Sequence, residues 1–257
     1  QAPDPPVPSD MILAVPESSP PLRIAVVGSG ISGLSAAWLL SRSHRVTLFE
    51  AADRLGGHSH TVDARLGDDW GERAVPVDTG FIVYNEPTYP NLTAMFAHLG
   101  VETVKSDMSF GVSLDHGGFE YSSRSPFSYL RHPAILANPR MWAVAREVIR
   151  FYRTGPSQMR ALAEAGLSLG EFLDRCGYDP VFQRDHLLPQ AAAIWFCSVH
   201  EIADYPATAF VDFCDSHGLM RFTDRPQWRS VKGGSRSYVD RLSRAIGDGV
   251  RAGRGVA

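Results

Sequence analysis

Arg23-Ile24-Ala25-Val26-Val27-Gly28-Ser29-Gly30-Ile31-Ser32-Gly33 is followed, one short helix later, by Arg45-Val46-Thr47-Leu48-Phe49-Glu50. Ile24 to Val27 is an unbroken apolar run, the pattern of a parallel strand buried on both faces. After the three glycines, Ile31, Leu34 and Trp38 recur at spacings of three and four, which predicts a helix to about Arg42. Ser41 to His44 reads as a turn, and Arg45 to Glu50 as a second strand ending in an acid. The unit is β-α-β, and such crossovers are right-handed with parallel strands. Ile24 to Ser41 carries no charge, yet its glycines, its serines and its change of period argue against a membrane span.

Each residue type in Gly28-x-Gly30-x-x-Gly33 has a physical task. Gly28 makes the tight turn, Gly30 lets backbone approach a pyrophosphate, and Gly33 lets the helix pack close to the strand. Unpaired amides at the helix start, from Ser29 through Ile31 and Ser32, carry about half a positive charge toward phosphate. Glu50 is placed to accept hydrogen bonds from the ribose hydroxyls of an adenosine. A carboxylate there repels a ribose 2′-phosphate, which disfavours NADP and leaves NAD and FAD.

Working outward, Glu50-Ala51-Ala52-Asp53-Arg54-Leu55-Gly56-Gly57 adds an arginine and a glycine pair that permits close backbone passage beside a ligand. The run from Arg23 to Gly57 resembles the extended FAD fingerprint of the flavin-containing amine oxidase superfamily. That resemblance implies that Glu50, Ala51, Arg54, Gly56 and Gly57 contact the cofactor and that His58 sits at the edge of the flavin. It also implies that backbone at Asp78-Thr79-Gly80 lies beside the isoalloxazine ring. Gly233-Gly234 resembles the segment that re-enters the cofactor domain ahead of a helix. Phe81 to Pro90, Ala193-Ile194-Trp195 and Trp228 to Gly234 are similar to a bacterial flavoprotein branch, its members described as predicted NAD/FAD-binding proteins, that often accompanies cyclopropane fatty acyl synthases. This implies a lipid acyl chain as substrate. The resemblance runs over roughly residues 22 to 257 but matches only the amino-terminal part of a typical member, so the chain reads as truncated at its carboxyl end.

The expected class is therefore α/β: a Rossmann-like FAD-binding domain with an inserted, largely helical substrate domain. The organisation reads as a proline-rich disordered leader over 1–21, a first cofactor segment over 22–85, a substrate domain over 86–226 and a return segment over 227–257. A strand is expected from Ala74 toward Tyr84, interrupted at Asp78-Thr79-Gly80. A helix over 88–99 stops at Gly100, and a hairpin turns at Asp115 to Gly118. Asn138-Pro139 opens a helix to about Arg153, Ser168 caps another, Asp179-Pro180 opens a third and Pro206 to Ser216 forms a fourth. A helix follows Ser235.

Net charge is −3, which gives no electrostatic case for nucleic acid, and no transmembrane segment is expected. Contact with a membrane surface stays open. Three widely spaced cysteines, Cys176, Cys197 and Cys214, show neither a disulfide framework nor a zinc pattern and favour a reducing, cytoplasmic setting. His58-x-His60 lacks the further ligands a metal needs, and Cys197-x-x-His200 reads as packing. Trp195, Phe196, Tyr205, Phe210 and Phe213 are candidates for an apolar cavity or a core. No residue stands out as acid or base. The reading is an FAD-dependent oxidoreductase that dehydrogenates a C–N or C–C bond of a small-molecule or lipid substrate. A non-catalytic flavin-binding module and an NAD-dependent dehydrogenase are the alternatives.

Overall fold

The computed structural model describes residues 20–65, 67, 74–123 and 137–256. All but the last two positions of the expected leader lie outside them. The chain divides into two compact units: Gln1–Ser106 with Trp228–Ala257, and Asp107–Gln227. In chain order the first unit contains β1 (Arg23–Val27), α1 (Ile31–Ser41), β2 (Arg45–Phe49), β3 (Thr61–Arg65), β4 (Ala74–Asp78), β5 (Tyr84–Asn85), α2 (Pro90–Leu99) and β6 (Thr103–Ser106). The second holds β7 (Gly111–Leu114), β8 (Phe119–Ser122), α3 (Pro139–Leu162), α4 (Leu169–Arg175), α5 (Pro180–Phe182), α6 (Leu188–Trp195), α7 (Val199–Ala203) and α8 (Ala207–Ser216). The chain returns to the first unit through β9 (Trp228–Val231), α9 (Arg236–Ile246) and β10 (Val250–Arg251).

In the first unit β1 and β2 are parallel, Ile24 opposite Val46 and Val27 opposite Phe49, and β10 adds on the far side of β2. The expected burial of β1 on both faces is not met. The strand alternates exposed and half-buried positions, and Val27 is 65% exposed. Only one face of the strand is covered: Ile24 and Val26 reach the core, whereas Arg23, Ala25 and Val27 on the other face are exposed. That core joins Leu34, Ala37 and Trp38 of α1 to Val46 and Leu48 of β2 and to Tyr238, Val239 and Leu242 of α9. Truncating a fully buried leucine such as Leu34 to alanine costs roughly 2–5 kcal/mol.

The expected boundary after residue 85 moves to 106. Strand β6, which the sequence reading missed, pairs antiparallel with β9, and Phe96 of α2 packs against Tyr84 and Tyr238. The interruption expected at Asp78-Thr79-Gly80 is present, and it separates two sheets: β4 pairs with β3, whereas β5 joins β9. Gly80 lies at the break, pressed so closely on residue 58 that a Cβ there would sit 2.1 Å from the His58 carbonyl oxygen.

In the second unit the caps foreseen at Asn138, Ser168 and Asp179 are formed by their side-chain oxygens on the Arg140, Glu171 and Val181 amides. Ser198 makes a further capping box with Glu201. Helix α3 does not stop at Arg153 but runs through Gly155 and Pro156 to Leu162. The Phe151 ring lies against Gly155, so packing outweighs the backbone bond that the proline removes. Helix α5 passes through a π-helical turn, Gln183–Leu187, into α6. Phe151, Phe172, Phe182 and Phe210 form the centre of this unit. Trp195 packs against Tyr205, Phe210 and Phe213 as part of that core, while Phe196, in a left-handed conformation, is exposed. Among the described residues no helix is long and apolar enough to cross a membrane.

Candidate dinucleotide-binding site

The glycine turn sits where β1 meets α1. Gly28 has φ +91°, a backbone conformation that side chains resist, and its N–H continues the ladder to the Phe49 carbonyl at 2.8 Å. A Cβ on Gly33 would lie 1.9 Å from the Gly28 carbonyl oxygen, so only glycine permits this approach of helix to strand. Gly28 and Gly30 differ from Gly33: a Cβ on either would meet nothing within 4 Å. Their outer side is open space. Helix α1 begins at Ile31 with no side-chain cap and no acid in its first turn. Its first amides thus keep their donors for an anion.

Glu50 is held in place by the turn itself. Its Oε2 accepts from the Ser29 N–H at 2.8 Å and the Ser29 hydroxyl at 2.6 Å, and its Oε1 accepts from the Ala52 N–H at 2.9 Å. These bonds, the one from Ala52 foremost and the Ser29 hydroxyl next, lower its pKa to about 2. A carboxylate has about four acceptor positions, so Glu50 keeps a site on Oε1 for one further donor. Ser29 is fully buried; Ile31 is half-buried, and Ser32 and Ala51 are exposed.

The second glycine pair backs onto the first. Gly30 and Gly56 form a parallel bridge, the Gly56 N–H donates to the Ser29 carbonyl and hydroxyl oxygens, and a Cβ on Gly57 would come within 3.1 Å of the Gly30 Cα. The structure therefore brings together Gly28 to Gly33, Glu50, Gly56 and Gly57. Arg54 joins that cluster only through its own loop: it is exposed and donates to the Gly57 carbonyl at 2.8 Å.

Asp78, Thr79 and Gly80 are joined to the 58–61 segment. The Thr79 and Phe81 amides donate to the His60 and His58 carbonyls, and the Thr79 hydroxyl lies 2.8 Å from His60 Nδ1. His58 itself is exposed. The Asp78 carboxylate turns to Thr61 and to the start of α9, accepting from the Thr61 hydroxyl at 2.6 Å, the Ser235 hydroxyl at 2.8 Å and the Ser235 N–H at 2.9 Å. Sequence reasoning missed this hub, and also the buried Ser59 to Tyr238 hydroxyl pair. Burial pushes the Tyr238 hydroxyl up to about 12, which keeps it protonated. Their only signal was polar residues flanking glycines, which names no partner. Among the described residues no group of three or more His, Cys, Asp or Glu is placed to hold a metal. Cys197 is half-buried, His200 is exposed, and the Cys214 thiol is pushed up to about 12 by burial.

Residues 26–99 match the family described as NAD(P)-binding Rossmann-like domain. The chain is 27% identical over 239 residues to human amine oxidase [flavin-containing] B, covering 91% of this chain and 44% of that protein. It is 26% identical over 210 residues to the 15-cis-phytoene desaturase of Arabidopsis thaliana, covering 74% and 34%. Among solved structures it matches putrescine oxidase bound to putrescine with a TM-score of 0.63 at 20% identity, covering 91% of this chain and 51% of that one. The chain thus spans about half or less of the length of these relatives. It has a Rossmann-like architecture and the fold of putrescine oxidase, and over most of its length it is similar in sequence to flavin-containing amine oxidase B.

Proposed function

We propose that the chain binds the ADP half of FAD at the β1–α1 junction and serves as the cofactor-binding part of a flavin-dependent oxidoreductase. One observation carries the reading. An uncapped helix start and two glycines that open onto empty space stand beside a carboxylate held ionised with an acceptor position to spare. These are the contacts a diphosphate and a ribose need, with amides and helix dipole for the first and a fixed acceptor for the second. Gly56 and Gly57 support FAD over NAD, because they add a second strip of close-lying backbone along the same loop. The relatives named as flavin-containing amine oxidase support the same choice.

The residues fit the cofactor in stated roles. Gly28 and Gly30 leave room for the diphosphate, the Ile31 to Gly33 amides donate to it, and Glu50 accepts from the ribose. Backbone at His58 and at Asp78-Thr79-Gly80 flanks the flavin in this reading. Bound flavin supplies the two-electron acceptor for dehydrogenation, while the protein orients substrate and excludes water. The unit over 107–227, with its aromatic core, is the proposed substrate-binding part, acting on a C–N or C–C bond of an apolar molecule. A lipid acyl chain as substrate rests on the likeness of Phe81 to Pro90 and Ala193 to Trp195 to the bacterial flavoprotein branch.

Equilibrium dialysis with FAD, ADP, NADH and NADPH tests the proposal. FAD and ADP should bind and raise the melting temperature, and NADPH should not, because Glu50 repels the 2′-phosphate. Failure of FAD and ADP to bind at millimolar concentration would sink the reading. Protection by NADH with none by FAD would favour a nicotinamide enzyme.

A further inference from the structure

Helix α3 carries a feature that nucleotide binding does not use. Trp142, Arg146, Ile149, Arg153 and Arg160 follow one another at intervals of three, four and seven residues, so at 100° per residue they share one narrow stripe of the helix. The opposite side, with Met141, Val144, Phe151 and Met159, is the buried one. The stripe faces water: Trp142 is 60% and Ile149 43% exposed, and the Arg146 side chain is 66% exposed. Phe222, 56% exposed, extends it, its ring centred 5.2 Å from that of Tyr152 and flanked by exposed Arg221 and Arg225. Arg146 is engaged by Glu147 and Asp179, whereas Arg153, Arg160, Arg221 and Arg225 have no ion-pair partner among the described residues. The stripe itself holds no acid; Glu147 and Asp179 flank it at Arg146, and Asp224 lies in the Phe222 loop.

We propose that this face of α3, with the Phe222 loop, docks on an anionic lipid surface. A net charge of −3 makes a row of three arginines on one helix face, two of them without an ion-pair partner among the described residues, a local feature and not a by-product of composition. Large apolar side chains interleaved with arginines are what an interface needs. Tryptophan, isoleucine and phenylalanine enter the headgroup boundary while arginines lie along it and reach phosphate. From Trp142 to Arg160 the stripe is a ridge about 27 Å long on a regular helix. A ridge suits a plane, whereas protein partners concentrate their affinity in pockets. Each arginine near such a surface strengthens binding by on the order of fivefold, an effect that salt screens. This proposal does not depend on the cofactor reading.

Sedimentation of the whole chain with vesicles tests it. Recovery should be high with phosphatidylcholine–phosphatidylglycerol vesicles at low salt, low with phosphatidylcholine alone, and reduced by added salt. Arg153→Gln with Arg160→Gln should weaken binding more than tenfold. Trp142→Ser with Ile149→Ser should do so without restoring any preference for neutral lipid. Thermal melts and far-ultraviolet circular dichroism matching the parent chain would show that both double variants fold. Absence of binding to the anionic vesicles would overturn the proposal, as would equal recovery with neutral ones or unchanged recovery in the folded variants. Self-association through the stripe, or capture by an acidic protein in place of vesicles, would overturn it as well.

Discussion

Ser29 and Glu50 are joined twice, the Ser29 N–H and hydroxyl both donating to the same oxygen, Oε2, at 2.8 and 2.6 Å. The acid that is expected to grip a sugar is therefore also a clamp on the glycine turn that is expected to cradle the phosphates. Ser29→Ala removes one of the two bonds and leaves the backbone one. A hydrogen bond to a charged acceptor is worth about 1.5–3 kcal/mol, discounted here because Glu50 is accessible to solvent. FAD affinity should fall roughly fivefold to tenfold in dialysis, with little change in melting temperature. Unchanged affinity would show that Glu50 needs no help from Ser29. The Glu50 pKa is lowered from 4.5 to about 2, so its contribution is complete above pH 4.5 and disappears between pH 4.5 and 2. Dinucleotide binding should not change through Glu50 titration anywhere above pH 5.

Two glycines of one motif should respond in opposite ways. Gly33→Ala puts a methyl group 1.9 Å from the Gly28 carbonyl oxygen, which is backbone and cannot swing aside. Helix and strand must separate, and a loss of about 3 kcal/mol or more is expected. Gly30→Ala meets nothing within 4 Å and has an ordinary φ of −60°. It should melt near the parent temperature yet bind FAD and ADP more than tenfold less well, because the methyl occupies the space proposed for the pyrophosphate. A Gly30→Ala chain that binds normally would place the diphosphate elsewhere.

The contrast shows which parts of the fold were legible. Gly33, Gly28 and Leu34 each obey a local rule of turn geometry or helical period, and the β-α-β unit followed from them directly. The Ser168 and Asn138 caps were equally local. What escaped needed a partner far along the chain. Strand β6 is four residues with no alternation of its own, and it exists because β9, more than a hundred residues later, offers it an edge. Helix α3 overran Arg153 because Phe151 shelters Gly155, a contact that a proline rule does not contain. At the site, the positions of Glu50 and the glycines were readable, but the Ser29 clamp and the use of the Asp78 carboxylate were not. A side-chain hydrogen bond leaves no periodic trace in a sequence.

His186 makes the stability of the second unit depend on pH. It is buried and lies between Phe110, Phe182 and Tyr121, with Nδ1 2.8 Å from the Tyr121 hydroxyl and Nε2 without a hydrogen-bond partner. Burial lowers its pKa from 6.5 to about 4. The folded chain thus resists a proton that the unfolded chain takes up below 6.5. Stability is complete above pH 6.5 and falls as pH drops toward 4, by about 3 kcal/mol in total at 1.36 kcal/mol per unit. Denaturant titrations across that range should show the slope, and His186→Gln should reduce it whatever its own cost, leaving the part due to His217, whose pKa burial also lowers. Asp185, whose pKa is lowered, titrates below this window and does not obscure it. A parent chain equally stable at pH 6.5 and pH 4.5 would contradict the burial seen here.

Asp78 separates a structural role from a cofactor role. Its carboxylate accepts three hydrogen bonds from Thr61 and Ser235 and so ties the end of β4 to the first turn of α9. Asp78→Asn keeps one acceptor oxygen but turns an NH2 toward the Ser235 N–H, which now lies 3.1 Å from Oδ2. Two donors then face each other in a part-buried place, where an unmet donor costs about 1–3 kcal/mol. Melting without any ligand should therefore drop by several degrees, at about 2–4 °C per kcal/mol for a chain of this size. If Asp78 mattered only through its nearness to flavin, the ligand-free chain would melt unchanged and the loss would appear in FAD affinity alone. Ser235→Ala, distant in sequence and with no part in the proposed cofactor contacts, supplies the control. It removes the hydroxyl donor to the same carboxylate, and its effect should be largely absorbed in an Asp78→Ala background, which offers that hydroxyl no acceptor. Additive effects of the two substitutions would mean that the hub does not act as a unit.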